Sequence, residues 1–398
     1  MHMKALVIGF GISGKSAAAL LQKQGYTVVA VDKNPNLKAE GIEIFPDSED
    51  FPLDGYSLAI LSPGIPLTHP LVRKALKAGI EVIGEIEFAF RFLKNRCIGI
   101  TGSNGKTTTV TMIAHVLNAC WKKARALGNV GASLTGYLLD PDAEEILVIE
   151  LSSFQIETLE TRCLEAAGIL NITPNHLDRY ASMEEYATAK LRLQDCLKDG
   201  GKFYVSKQVY EDYGGHLKNV ALISEEGYNQ RNAKAAFAFC SHFGVGAADF
   251  QKGLETYRKP SHRIEWVAEI DGASYYNDSK SSNIHSVMYA MEQFEGSVIL
   301  LIGGVHKGSS YSPWIEAFGR KVKKIIAFGQ AAGKMEEDLS SAFRFMRVET
   351  MQEAMKIARA EAVEKDVVLL SPGCSSYDQF RNFEHRGDEF KKLVRETL

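Results

Sequence analysis

The sequence predicts an α/β protein of three domains. Short apolar runs of strand length alternate with helix-length stretches from end to end, most of these runs stop at glycine-rich or polar sequence, and 398 residues exceed what one domain of about 100–150 residues holds. Composition agrees with an ordered chain, since 45% hydrophobic and 24% charged residues are globular proportions. Lys plus Arg number 46 against 49 Asp plus Glu, so the net charge of -3 excludes a global basic surface, and no nucleic-acid partner is expected. The six cysteines, Cys97, Cys120, Cys163, Cys196, Cys240 and Cys374, are far apart in mostly apolar stretches and read as reduced, buried thiols. No apolar run reaches the roughly 18 residues of a membrane helix and no signal core opens the chain, so a cytoplasmic protein without membrane insertion is expected.

The first strand is Ala5-Leu6-Val7-Ile8, followed by Gly9-Phe10-Gly11-Ile12-Ser13-Gly14 and a helix over 15–24. Such a turn brings backbone N–H groups and a helix N-terminus to an anion. A second strand over 27–31 ends at Asp32, a carboxylate placed for a ribose hydroxyl. A third, Leu58-Ala59-Ile60-Leu61, runs into the rigid loop Ser62-Pro63-Gly64 at the edge where open α/β sheets bind ligands. Plain tight turns remain an alternative for these loops. A helix over 70–78, a strand over 80–83 and a helical linker over 85–92 complete this part of the chain.

The strand Cys97-Ile98-Gly99-Ile100-Thr101 feeds Gly102-Ser103-Asn104-Gly105-Lys106-Thr107 and a helix over 108–120. This is a shortened P-loop, whose glycines let backbone N–H groups wrap phosphates while the lysine reaches their outer oxygens, and it implies ATP as the ligand. Thr107 is placed to coordinate Mg2+, and Glu150, at the tip of the strand Ile146-Leu147-Val148-Ile149, supplies a carboxylate to the same ion. A further strand over 167–172 ends at Thr173-Pro174-Asn175-His176-Leu177-Asp178. A lone histidine serves structure as readily as ligation, so spacing alone leaves His176 open. Lys190, on a helix beginning near Met183, reads locally as a surface lysine with its stem on apolar neighbours. Asn229 and Asn232, three residues apart, can read a base edge or cap a helix.

Beyond the join at 256–261, strands over 264–268, 274–276, 298–302, 324–328 and 367–370 alternate with helices over 284–293 and 351–362. Their ends carry Asn277-Asp278-Ser279-Lys280-Ser281-Ser282-Asn283, Gly303-Gly304-Val305-His306-Lys307-Gly308 and Ser371-Pro372-Gly373-Cys374-Ser375-Ser376. A parallel α/β domain with its functional loops on one edge is expected, able to close over ATP held by the second domain.

Taken together, the 102–107 loop, Glu150-Leu151-Ser152-Ser153-Phe154-Gln155, Asn175-His176-Leu177-Asp178, Tyr186-Ala187-Thr188-Ala189-Lys190, His262-Arg263, Asn277-Asp278-Ser279-Lys280 and the tail Ser376-Tyr377-Asp378-Gln379-Phe380-Arg381-Asn382-Phe383-Glu384-His385-Arg386-Gly387 resemble the Mur ligases, the ATP-dependent amino-acid ligases of bacterial peptidoglycan synthesis. The resemblance implies a Rossmann-like nucleotide-sugar domain over 1–92, a P-loop ATPase-like domain over 93–258 and a Rossmann-like amino-acid domain over 259–398. It implies that UDP-N-acetylmuramoyl-L-alanine and D-glutamate are the substrates and that the enzyme is a monomer. Residue by residue, it assigns Lys106, with Gly102, Ser103, Asn104, Gly105, Thr107 and Thr108, to the phosphates, and Thr107, Glu150 and His176 to magnesium. It makes Lys190 a carbamylated lysine whose added carboxylate helps hold a second Mg2+, against the local surface reading. Asn229 and Asn232 would contact adenine, and Arg263 and Asp278 would serve the nucleotide. Gly11, Ile12, Ser13, Gly14, Asp32, Ser62, Pro63 and Gly64 would hold the uridine diphosphate, Asn129 would touch the muramoyl part, and Ser152 would also bind substrate. Lys280, Ser282, Lys307, Ser376 and Phe383 would form the D-glutamate pocket. Two positions depart from the family: an acidic residue is common near His306, and the amide pair often follows a histidine where this chain has Tyr228. The 202–227 segment is also short for the family. Other members of the superfamily, including folate polyglutamate synthases, are the main alternative. A nucleotide-dependent reductase leaves the P-loop and Glu150 unexplained, and an ATP-gated binding protein predicts no amino-acid-dependent phosphate release.

Overall fold

Apolar runs with neighbours on both sides become parallel strands, and among the residues the computed structural model describes (3–34, 36–175, 179–228, 231–306, 308 and 310–396) they assemble into three sheets. The chain divides into two units, Met1–Ile172 with Glu184–Tyr257, and Thr173–Met183 with Arg258–Leu398.

In the first unit, β1 (Lys4–Ile8), β2 (Thr27–Asp32), β3 (Glu43–Pro46), β4 (Tyr56–Leu61) and β5 (Glu81–Gly84) form a five-stranded parallel sheet in the order β3-β2-β1-β4-β5. The order reverses between β1 and β4, so the turn after β1 and the Ser62 loop after β4 meet at the switch point where such sheets bind ligands. Helices α1 (Ile12–Lys23) and α2 (Pro70–Lys77) cover it, the latter opened by a proline at its first position, where no N–H is needed. The stretch expected as a helical linker is α3 (Glu85–Phe90), which does run from this sheet to the next, and all six of its residues are buried. Its apolar side chains and two carboxylates are all taken into the interior of the unit, which a solvated connection would leave in water.

The same unit carries a second sheet of β6 (Arg96–Thr101), β7 (Ala124–Gly128), β8 (Ile146–Glu150), β9 (Leu164–Ile169), β10 (Leu197–Val205) and β11 (Val220–Leu222), in the order β11-β10-β9-β6-β8-β7. Helices α4 (Lys106–Ala119), α5 (Leu134–Tyr137), α6 (Ser153–Ile156), α7 (Met183–Leu191), α8 (Lys207–Tyr213), α9 (Arg231–His242) and α10 (Ala247–Thr256) follow its strands. Val110, Ile113 and Leu117 of α4 join Ala236, Phe239 and Phe250 in one core. The strand expected over 167–172 lies three residues earlier, because β9 pairs Ala166 with Ile98 and Ile169 with Thr101 and the chain then leaves the sheet.

The second unit contains β12 (Glu265–Ile270), β13 (Ala273–Asn277), β14 (Val298–Gly303), β15 (Val322–Phe328), β16 (Phe345–Arg347) and β17 (Val367–Gly373), ordered β12-β13-β17-β14-β15-β16. The β12–β13 pair is antiparallel and the remaining pairs are parallel. Helices α11 (Ile284–Glu292), α12 (Pro313–Phe318), α13 (Ala332–Leu339), α14 (Met351–Glu361) and α15 (Phe383–Arg395) cover two apolar faces, one core holding Trp314 and Leu300 and the other Tyr275, Ile299 and Phe390. Since β13, β17 and β14 are neighbours, the loops after Asn277, Gly373 and Gly303 emerge side by side. All six cysteines are free thiols, five of them buried. Among the described residues no helix is long and apolar enough to cross a membrane.

Candidate active site

The phosphate loop grows from β6, which lies between β8 and β9 and so delivers Thr101 and Gly102 between Glu150 and the end of β9. Gly105 caps α4 with φ of 82°, in the left-handed region, and a Cβ there would lie 2.5 Å from Asn232 Oδ1, so both backbone shape and close approach require glycine. Asn232, expected at a base edge, is thereby brought against the loop. The loop is held from behind by Asn171, which sequence reasoning missed: its Oδ1 accepts from Asn104 N at 2.9 Å, its Nδ2 donates to Asn104 O at 3.1 Å, and its carbonyl accepts from Ser103 N at 3.0 Å. An asparagine just past the strand beside a P-loop was the available signal.

Lys106 Nζ lies back over the loop, donating to Gly102 O at 2.6 Å and to Ser103 O at 3.2 Å, where an ammonium meets the outer oxygens of a held polyphosphate. Thr107 Oγ1 donates to Glu150 Oε2 at 2.7 Å, and Asn129 Nδ2 donates to Glu150 Oε1 at 3.0 Å. Asn129 is therefore placed beside the acid that ends β8. Thr107 and Glu150 present hydroxyl and carboxylate oxygen at one point, donor chemistry that would suit Mg2+. The described residues contain no group of three or more His, Cys, Asp or Glu side chains able to hold a metal by themselves. Thr108 is buried on the first turn of α4.

Lys190 is not at the surface, as local spacing suggested; it is 1% exposed. Its Nζ donates to Thr101 Oγ1 and Gly102 O, each at 3.3 Å, and sits 4.7 Å from the centroid of the Tyr186 ring. Burial, reinforced by the nearby Lys106 charge and only partly opposed by Glu150, pushes its pKa well below the ordinary lysine value. Tyr186 OH and Ser103 Oγ are hydrogen-bonded at 3.0 Å, which ties α7 to the loop. Ser152 accepts from Gln155 N at 3.3 Å and donates to Gln155 Oε1 at 3.0 Å, a capping box that employs its side chain at the start of α6.

At the first sheet's switch point, Gly11 is the N-cap of α1 and offers no capping side chain, and Ile12 and Ser13 open the helix. Gly14 packs so closely that a Cβ would lie 2.0 Å from Gly9 O. Asp32 Oδ2 accepts from Phe10 N at 2.6 Å and Oδ1 from Asn34 N at 2.9 Å, while Ser62 Oγ donates to Gly9 O at 2.6 Å. Asp32 and Ser62 thus shape the glycine turn that opens α1.

In the second unit, Asp278 is 3% exposed; its Oδ2 accepts from Ser371 Oγ at 2.7 Å and its Oδ1 from Ile264 N at 3.2 Å. Burial outweighs these bonds and the neighbouring Arg263 and raises its pKa to about 6. Lys280 Nζ lies 3.7 Å from the centroid of the Phe383 ring, and Ser279 Oγ donates to Phe383 O at 2.8 Å, so two residues expected in one pocket do meet. Ser376 is buried and Ser282 half-buried in loops of the same edge. Arg386, quoted in the tail but given no role, is fully buried and fastens three loops: Nε to Ser279 Oγ at 3.0 Å, Nη2 to Ser279 O at 2.8 Å and Cys374 O at 3.1 Å, and Nη1 to Gly303 O at 3.3 Å. Burial lowers its pKa to about 10, and it stays charged at neutral pH. His176, Asn229 and Lys307 lie outside the described residues.

Three segments match family profiles: 3–84 the MurD-like N-terminal domain of Mur ligases, 100–244 the Mur ligase middle domain, and 262–374 the Mur ligase glutamate ligase domain. The chain is 41% identical to the UDP-N-acetylmuramoylalanine–D-glutamate ligase of Protochlamydia amoebophila, with 98% of each chain covered, and 36% identical to that of Chlamydia caviae, with 99% of this chain and 98% of the relative covered. In fold it is similar to the UDP-N-acetylmuramate-alanine ligase of Thermotoga maritima (TM-score 0.62, 18% identity, 100% of each chain) and to the MurF ligase of the same organism in complex with ADP (TM-score 0.63, 15% identity, 100% and 96%).

Proposed function

The chain belongs to the Mur ligase family, and on that premise we propose that it joins D-glutamate to UDP-N-acetylmuramoyl-L-alanine with ATP converted to ADP and phosphate, in peptidoglycan precursor synthesis. The observation that carries this reading is the end-to-end similarity to D-glutamate ligases, in a chain whose phosphate loop, Thr107–Glu150 pair and buried Lys190 converge on one point. The matched segments fall inside domains over 1–92, 93–258 and 259–398, which we assign to the UDP-substrate, to ATP and to the amino acid.

Joining a carboxylate to an amine in water requires a better leaving group than oxide. In the proposed route the L-alanyl carboxylate attacks the γ-phosphorus, ADP departs, and an acyl phosphate forms. The amine of D-glutamate then attacks the carbonyl carbon, loses its proton and expels phosphate. Lys106 neutralises the transferring oxygens, and the backbone of Gly102, Ser103, Asn104 and Gly105 cradles the phosphates. Magnesium supplies further charge neutralisation, and Thr107 and Glu150 are the residues that would hold it, with His176 as a further ligand. The neutral amine of Lys190 can add carbon dioxide, forming a carbamate and releasing one proton, and the new carboxylate would help hold a second ion. Asn229, Asn232, Arg263 and Asp278 serve the nucleotide. Gly11 through Gly14, Asp32, Ser62, Pro63, Gly64, Asn129 and Ser152 serve the UDP-substrate. Lys280, Ser282, Lys307, Ser376 and Phe383 serve D-glutamate.

The test is phosphate release from ATP with UDP-N-acetylmuramoyl-L-alanine and a panel of amino acids. Release dependent on D-glutamate is expected, and release with L-alanine, a diamino acid or a dipeptide instead would assign another ligase.

A further inference from the structure

Besides Arg386 and a bond from Ser375 Oγ to Val305 O at 3.4 Å, the loop after β14 and the loop after β17 are joined at two further places. One junction is backbone: Val305 and Ser375 form an antiparallel bridge, with Val305 N donating to Ser375 O at 2.8 Å. The other is a single hydroxyl. Tyr311, 1% exposed, sets its OH 3.0 Å from His306 Nδ1 and 3.0 Å from Cys374 Sγ, so it touches both loops at once. The ring is fixed by its neighbours: Tyr311 N donates to Asp338 Oδ2 at 2.9 Å, and the ring packs against Trp314 at 5.2 Å and His306 at 5.5 Å between centroids. A hydroxyl has one proton and two acceptor positions, so it can donate to one partner while accepting from the other. This satisfies a thiol that is 0% exposed and orients an imidazole on a surface loop.

His306 precedes Lys307 and Cys374 lies two residues before Ser376, so the hydroxyl fastens the two loops that the proposed function gives to D-glutamate. We infer that Tyr311 is a positioning residue for the amino-acid step, setting through His306 and Cys374 the separation of the two loops that receive D-glutamate. This rests on the assignment of those loops to the amino acid. It also gives His306, the position where this chain departs from the family's acidic residue, a structural use: its ring nitrogen meets the tyrosine hydroxyl.

Tyr311→Phe deletes the hydroxyl and keeps the ring. With a buried hydrogen bond to Cys374 and a part-buried one to His306 at stake, the KM for D-glutamate is expected to rise about fivefold or more, while kcat and the KM values for ATP and the UDP-substrate stay within about twofold. Cys374→Ser, which retains a hydrogen-bonding partner, is expected to keep the KM for D-glutamate near wild type, and Cys374→Ala to raise it. A folded Tyr311→Phe with an unchanged KM for D-glutamate, even if it melts earlier, overturns the inference and leaves Tyr311 as packing. Should Tyr311→Phe not fold, His306→Ala decides on the same measurement, an unchanged KM again overturning it. Wild-type protein without D-glutamate-dependent phosphate release would instead refute the proposed function itself.

Discussion

Lys190 shows what a single side chain gains from its surroundings. Its neighbours Ala187, Ala189 and Leu191 are those of many surface lysines, yet the fold removes its ammonium from water, next to the positive Lys106 and behind the phosphate loop. The neutral amine is the nucleophile toward carbon dioxide and a lowered pKa makes that form more accessible, so Lys190→Ala is expected to lose turnover and to regain part of it with added formate or acetate. Full activity without additives would discard the carbamate. Lys106→Ala removes the charge at the transferring oxygens and is expected to cut kcat by about 10²- to 10³-fold with near-normal folding. Asp278 makes a pH prediction. Its carboxyl is raised from 3.8 to about 6, so folding favours the protonated form. That contribution is complete below pH about 4, declines as pH rises and is lost above about 6, worth roughly 2 to 3 kcal/mol in all. Denaturant midpoints at several pH values are expected to fall across this window for wild type and to stay flatter for Asp278→Asn.

At the scale of elements, α3 is the instructive case. Its two acids lie two residues apart in a six-residue helix and reach two different segments of the second sheet's surroundings. Glu85 Oε1 accepts from Thr135 N at 2.7 Å and Thr135 Oγ1 at 2.6 Å, and Glu87 accepts from Glu160 N, Thr161 N and Thr161 Oγ1 at 2.9, 3.0 and 2.7 Å. Thr135 also donates to Ser16 of α1 at 3.1 Å, and Ser16 and Ser133 hydroxyls are 2.6 Å apart. A stretch that reads as a connection is thus the joint between the two sheets of the first unit. Glu85→Ala takes the acceptor from the Thr135 N–H in the interior and leaves Thr135 Oγ1 with Ser16 alone, and is expected to cost about 1 to 3 kcal/mol in chemical denaturation. The strands that the sequence did not reveal, β3, β7, β10, β11 and β16, include every parallel edge strand except β5. Edge strands are covered on fewer sides, so β3 and β16 are partly exposed and lack an apolar run, and β10 carries Lys198-Asp199-Gly200-Gly201-Lys202, which resembles a turn.

For the molecule as a whole, the reaction proposed has a signature independent of any one residue. If the L-alanyl carboxylate captures the phosphoryl group, an oxygen label in that carboxylate must leave with inorganic phosphate. Mass spectrometry of the released phosphate is expected to find it there, and its absence would remove the acyl phosphate from the route. The expectation holds only with ATP, the UDP-substrate and D-glutamate all present, since amide formation is what liberates the label.

The sequence alone determined what depends on nearest neighbours along the chain. Central strands are continuous apolar runs, a loop that wraps phosphate needs Gly102, Gly105 and Lys106 in a short span, and strand-end residues such as Asp32, Glu150 and Asp278 follow from strand length. Tertiary structure decided what depends on desolvation and on partners distant in sequence. Lys190 is buried under a loop 88 positions away, Asn171 braces the phosphate loop from 67 positions away, and Arg386 gathers backbone from Ser279, 107 positions away, and from Gly303 and Cys374. Local spacing encodes backbone geometry, whereas the dielectric around a charge and the second end of a hydrogen bond exist only once the chain has folded.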